Sequence, residues 1–314
     1  MRVRFSARTH VGQRREVNQD AFDGGPRGPA TLLVVCDGMG GHAAGEVASQ
    51  LAVTTIMEVY DPAAAEPGSS LRDAFTTANQ RVYTQGRGTM GTTGVAALFQ
   101  HNHLYVANVG DSRAYIVREG QISQISNDHS FVSDQVAAGL MTAEQARHSN
   151  IRNIITRALG HSADVNVDIF ERELQAGDTV LLSSDGMHGL IEDAEIAEIA
   201  SIATPDEATQ RLVDLANERG GIDNITVVIA QVDELDASAE PSATIPPSAS
   251  PPKPPAPPSP QPKTEPPLNR LGLLLASLVL LLLISIGAFV LLTASPTVNS
   301  APTITPLATV EATP

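Results

Sequence analysis

The sequence predicts an α+β fold of segregated layers, and two observations predict it. Short β-rich runs cluster together between residues 92 and 125. Segments of helical period come in pairs, at 43–59 with 70–85 and at 193–201 with 206–219. Strands and helices therefore arrive in blocks, which favours antiparallel sheets flanked by helices over a series of βαβ units.

Taken in order, residues 2–9 alternate charged and apolar side chains and read as a strand, not as a signal peptide. Residues 31–36 are a short apolar run and predict a buried strand; helices follow at 43–59 and 70–85. The runs 92–100, 103–109, 112–118 and 121–125 are separated by His-Asn, Gly-Asp and Glu-Gly turns, the pattern of a hairpin meander. His101 and His103 flank Asn102 and read as solvated turn residues. Residues 130–147 look helical, strands follow at 165–172 and 179–183, and a last strand at 224–232 closes the series after the second helical pair. No repeat of solenoid length is present.

The rest of the chain has a different composition. Residues 1–235 form the candidate catalytic domain, and residues 236–270 collapse into Pro, Ser, Ala and Thr. Such a tract buries no core and serves as a stiff tether with a reach on the order of 100 Å. Residues 271–293 are 23 uncharged, mostly aliphatic positions. As a helix they reach roughly 35 Å, enough to cross a bilayer with some tilt. Lys263 and Arg270 precede this stretch and no Lys or Arg follows it. The positive-inside rule then places the large N-terminal part in the cytoplasm and residues 294–314 outside, as a single-pass membrane protein.

Composition removes several classes of chemistry. A formal net charge of −15 argues against a nucleic-acid partner. The single cysteine, Cys36, rules out a disulfide framework within the chain. The only lysines are Lys253 and Lys263, so the candidate domain has none for a P-loop, a kinase ATP site or a Schiff base. A cysteine-based phosphatase needs an arginine six residues after its nucleophile, and His42 stands there.

Four acids share one context. Asp37, Asp111, Asp185 and Asp223 each follow or adjoin an apolar β-like run, in V-V-C-D, A-N-V-G-D, L-L-S-S-D and G-I-D-N-I-T-V-V, and three of them touch a glycine. A single Asp-Gly usually marks a turn. Four such acids on strands that share sheets would converge at one edge, where unpaired carboxylates must take up protons or hold cations between them. Carboxylates with the Gly38 carbonyl make a hard-oxygen set suited to Mg²⁺ or Mn²⁺.

The motifs G-Q-R-R-E-V-N-Q-D, D-G-M-G-G-H-A-A-G-E, M-G-T-T, V-G-D-S-R-A-Y, D-H-S, I-T-R-A-L-G, S-S-D-G-M and D-N-I-T-V-V occur in this order between Val11 and Val232. Together they resemble the metal-dependent serine/threonine protein phosphatases of type 2C, the PPM family, in their short bacterial form. The resemblance implies an αββα sandwich of two antiparallel sheets flanked by helices, with the metals at one end of the sheets. It implies that Asp37 bridges two metals, that Gly38 offers a carbonyl, and that Asp185 and Asp223 are the other direct ligands. Asp111 corresponds to the ligand of a third, weaker metal site, and Asp20 to an acid acting through water. Arg15 matches the arginine that holds the substrate phosphate, and His42 the acid that protonates the leaving oxygen. Gln19 stands where many relatives carry Glu, and His188 where Thr is frequent. Residues 130–147 match the flap near the site.

The chemistry so implied is hydrolysis of phosphoserine and phosphothreonine in proteins by a hydroxide bridging two Mn²⁺ or Mg²⁺ ions. Arg15 neutralises the phosphoryl oxygens and His42 supplies a proton to the alkoxide. The expected partners are phosphorylated proteins, among them a bacterial serine/threonine kinase. A tethered binding module without turnover is the alternative; such a protein would be expected to have lost one of the acids, and all are present.

Overall fold

The computed structural model describes residues 1–41 and 44–237. His42, the expected membrane span at 271–293 and the tail at 294–314 lie outside the described residues, as does the tether from residue 238 on. Among the described residues no helix is long and apolar enough to cross a membrane.

Eleven strands and seven helices follow one another along the described chain. They are β1 (Arg2–His10), β2 (Asp20–Arg27), β3 (Ala30–Met39), α1 (Ala44–Val59), α2 (Pro67–Gly86), β4 (Gly91–Thr92), β5 (Gly94–Gln100), β6 (His103–Val109) and β7 (Arg113–Arg118). Then come β8 (Gln121–Gln124), α3 (Phe131–Ala137), α4 (Ala143–Arg147), β9 (Asp168–Glu173), β10 (Thr179–Ser183), α5 (Asp185–His188), α6 (Asp193–Ile202), α7 (Pro205–Glu218) and β11 (Ile225–Glu234). One sheet has the order β1-β11-β10-β7-β8, the other β2-β3-β5-β6-β9 with β4 on β3. Every neighbouring pair is antiparallel.

The apolar strands are continuous because both of their faces are buried. In β3, Leu32, Val34 and Cys36 pack against α1 and α2, while Leu33 and Val35 point the other way into the core between the sheets. In β11, Val227 and Ile229 pack under α6 and α7, while Val228, Ala230 and Val232 join the same inter-sheet core. Three apolar layers therefore separate helices, sheet, sheet and helices, giving the expected αββα order. The helical pair α6 and α7 is fixed at its starts by capping boxes, Glu192 with Glu195 and Thr204 with Glu207.

Several sequence expectations change. Strand β2 has no apolar run to announce it, since D-A-F-D-G-G-P-R is polar and glycine-rich, yet it pairs along its whole length with β3. The supposed meander is two hairpins: β5 turns to β6 in one sheet and β7 to β8 in the other, and Gly110-Asp111 is the crossover between sheets. His101 and Asn102 both take positive φ, 51° and 64°, the geometry of a two-residue hairpin turn. His103 is not a free turn residue; it opens β6, pairs with Glu171 and stacks on Tyr105. The helix expected over 130–147 is two short helices, each with its own N-cap, Ser130 and Thr142, and Gly139 lies between them at φ 71°.

Candidate metal centre

Strand β3 does not stop before its acid. It runs through Asp37 and Gly38 to Met39, because β2 pairs one side, opposing Asp20 to Asp37, and β4 pairs the other, opposing Thr92 to Gly38. Asp37 is clamped through its backbone: its N–H donates to Thr93 Oγ1 at 2.9 Å, and its carbonyl accepts from Thr92 Oγ1 and Thr93 N, both at 2.8 Å. Gly38 is required by the close approach of two other backbone segments. A Cβ there would stand 2.1 Å from the Gly45 carbonyl oxygen and 2.6 Å from that of Gln19, so the glycine admits protein backbone.

Asp185 opens α5, directly after β10, in the same relation to its sheet. Asp111 sits in the crossover from β6 to β7. Asp20 begins β2, and its Oδ2 accepts from Ser184 Oγ at 2.7 Å and Thr226 Oγ1 at 2.6 Å. Asp223 precedes β11; its Oδ1 accepts from Asn224 N at 2.8 Å and its Oδ2 from Arg15 Nη2 at 2.7 Å. Arg15 reaches Asp223 because its loop is sewn to the loop before β11. Asn224 Nδ2 donates to the carbonyls of Val11 and Val17, its Oδ1 accepts from Gln19 N, and Gln13 N donates to Gly221 O.

The electrostatics are those of acids forced together out of water. Burial comes first in every case. It pushes Asp37 well above the ordinary carboxyl range, with Asp20, Asp185, Asp111 and Asp223 adding to it. Asp111 is pushed up to about 8 by burial, then by Asp185 and Asp128. Asp20 is pushed up to about 7 by burial, against the pull of its two hydroxyl donors. Asp185 is pushed up to about 6 by burial and Asp223, moderated by a hydrogen bond to Asp37 and by Arg15 and Arg152. Arg15 is held above its ordinary value by the Asp223 carboxylate.

Asp37, Asp185, Asp111, Asp20 and Asp223, with Arg15, are thus brought to one end of the two sheets. Among the described residues no group of three or more His, Cys, Asp or Glu side chains is gathered closely enough to hold an ion. Asp223 accepts one hydrogen bond at each oxygen, from Arg15 and from Asn224 N, and each oxygen keeps a lone pair. The donor set nonetheless fits divalent cations. It is all hard oxygen, and Asp185 Oδ1 and Asp20 Oδ1 are buried with no hydrogen-bond partner. Bringing cations in would relieve both the orphaned oxygens and the mutual repulsion.

Asp111, Asp185 and Asp223 line a cleft of about 460 Å³ whose other wall is the segment carrying α3 and α4, with Val132, Val136 and Ala146. His188 also lines it, buried and bonded through Nδ1 to Ser183 Oγ at 3.0 Å. Burial, with Arg113 and Arg147 nearby, drives its pKa well below the ordinary value, so it is a neutral wall residue. Cys36 points away from the acids into the α1 and α2 core. Sequence reasoning gave no role to Thr92, Thr93, Ser184, Thr226 or Asn224. The available signal was hydroxyls and an amide inside or next to otherwise apolar strands, each of which needs a partner when buried.

Comparisons with known proteins show the family and the fold. Residues 4–137 match the family described as protein phosphatase 2C. The chain is 35% identical over 246 residues to protein phosphatase PhpP of Streptococcus pneumoniae, across 75% of this chain and 100% of that protein. It is similar to the crystal structure of the Mycobacterium tuberculosis serine/threonine phosphatase PstP/Ppp, at 38% identity and a TM-score of 0.69, over 74% of this chain and 99% of that one. It spans 46% of the M. tuberculosis PstP sequence, which it matches at 39% identity. A catalytic-domain structure of PstP in complex with two manganese ions matches at 38% identity and a TM-score of 0.67, over 74% of this chain and 99% of that one.

Proposed function

The chain belongs to the protein phosphatase 2C family, and on that premise we propose that it hydrolyses phosphoserine and phosphothreonine in proteins with two divalent cations, Mn²⁺ or Mg²⁺. The observation that carries the reading is the gathering of five buried or half-buried acids and one arginine where strands of both sheets end. Asp37, Asp185 and Asp223, with the Gly38 carbonyl, are the donors for the two cations, and Asp111 is the donor for a third. Bound there, divalent cations supply the positive charge that neutralises the acids and the phosphoryl oxygens and that acidifies water.

The side chains have their own parts. Arg15 presents a planar fork of donors next to Asp223, suited to two phosphate oxygens at once. Asp20, anchored through Oδ2 by Ser184 and Thr226, keeps Oδ1 as a buried acceptor for a water. His42, which follows β3 in the sequence, is the acid that protonates the departing serine or threonine oxygen. Retention of every acid speaks against a binding module without turnover.

The wider organisation is proposed with it. Residues 1–235 are the catalytic domain, 236–270 a proline-rich tether, 271–293 a membrane span and 294–314 an outer tail, with the catalytic domain on the cytoplasmic side. Its substrates are phosphorylated proteins that include a serine/threonine kinase of the same cell. The direct test is phosphate release from a phosphothreonine peptide by the full chain in detergent. Mn²⁺ should support turnover, EDTA should stop it, and Arg15→Ala should raise KM more than it lowers kcat. Turnover that persists in EDTA would overturn the reading.

A further inference from the structure

The motifs D-H-S and I-T-R-A-L-G have no part in the chemistry above, yet both meet at one buried histidine. His129 is 6% exposed and lies immediately before α3. Its Nδ1 accepts from the Gly110 N–H at 3.0 Å, and its own N–H donates to the Gly110 carbonyl at 2.9 Å. Gly110 is the residue before Asp111. The bond to a backbone N–H requires Nδ1 to be unprotonated, so the ring proton is on Nε2. Nε2 faces Asp168 Oδ2 at 3.1 Å, and Asp168 Oδ1 accepts from Arg157 Nη1 at 2.8 Å.

The same residue joins the two ends of the cleft wall. The His129 carbonyl accepts from Thr156 N at 2.8 Å, closing the base of the segment that runs through α3 and α4. Gly110 is held from its other side as well. Its φ is 102°, and a Cβ there would stand 2.6 Å from Thr93 Cγ2, the side chain that clamps Asp37. The peptide that aims Asp111 is thus wedged between Thr93 and His129.

We propose that His129 is a positioning residue for Asp111: its Nδ1 holds the Gly110 N–H while its backbone N–H holds the Gly110 carbonyl, and the two bonds together tie Gly110, and with it Asp111, to the base of the 131–156 segment. The proposal rests on the reading of Asp111 as a metal donor. It predicts that the two ring nitrogens have separable roles. His129→Gln keeps a group near the Nε2 position, toward Asp168, but loses the acceptor for Gly110. His129→Asn keeps an acceptor near the Nδ1 position and loses the contact to Asp168.

The experiment is Mn²⁺ binding by calorimetry on the full chain in detergent, with melting curves in EDTA to show that each variant is folded. Asp111→Asn serves as the reference. His129→Gln should weaken the weakest Mn²⁺ binding step by about tenfold, and His129→Asn should restore most of it. In the Asp111→Asn background, His129→Gln should change the isotherm no further, since both act through one group. An equal effect of His129→Gln with and without Asp111, or equal loss in the Gln and Asn variants, would overturn the proposal while leaving Asp111 a donor. An Asp111→Asn isotherm identical to the parent's would overturn the Asp111 assignment and this proposal together.

Discussion

Replacing Asp185 by Asn should stabilise the chelated protein while destroying its function. Asp185 is buried, its Oδ1 has no hydrogen-bond partner, and its carboxyl is pushed up to about 6 from an ordinary 3.8. Because the folded value is the higher one, folding favours the protonated form; the stability this brings is full below pH 3.8 and lost as pH rises through about 6. At about 1.4 kcal/mol per pH unit, the ionised carboxylate at pH 8 costs about 3 kcal/mol. Part of that belongs jointly to Asp37 and Asp223, so the gain from the neutral amide is on the order of 1–3 kcal/mol. The amide oxygen can still accept from Asp37, so no hydrogen bond need be lost. In a domain of this size the melting temperature should rise by roughly 3–10 °C.

The assay is thermal unfolding of parent and variant in EDTA at pH 8 and again at pH 4, then with saturating Mn²⁺. At pH 4 the carboxyl is largely protonated and the difference should shrink toward zero. With Mn²⁺ the order should invert, since a ligand at one hundred times its Kd adds about 2.7 kcal/mol to the parent alone. An Asn variant that melts at or below the parent in EDTA at pH 8 would show that the cluster is not under electrostatic strain.

Thr93→Val should leave the Asp37 N–H buried without an acceptor, costing about 1–3 kcal/mol in urea unfolding and reducing kcat. Thr93→Ser should recover both, and a Val variant as active and stable as the parent would refute the clamp. Phe99 is fully buried in the inter-sheet core, away from the acids. Phe99→Ala should cost about 3–5 kcal/mol by urea titration with Mn²⁺ affinity unchanged in the folded fraction.

The sequence alone determined the block order of strands and helices, because period and turn chemistry are local. It also marked Asp37, Asp111, Asp185 and Asp223, since each follows or adjoins an apolar β-like run, whereas Asp20, at the start of β2, was indicated only by the family resemblance. It could not show β2, whose residues have no apolar pattern and are strand only because β3 offers a partner edge. Nor could it show that Gly110-Asp111 crosses between sheets, since a turn and a crossover use the same dipeptide. The hydroxyls that hold Asp20, the threonines that clamp Asp37 and the histidine that pins Gly110 come from positions 19 to 206 residues away from the groups they serve. Contacts at that range have no local signature; they exist only once two sheets have stacked and brought their strand ends together. Where the acids stand in the chain is a property of the sequence, and how strongly they repel one another is a property of the fold.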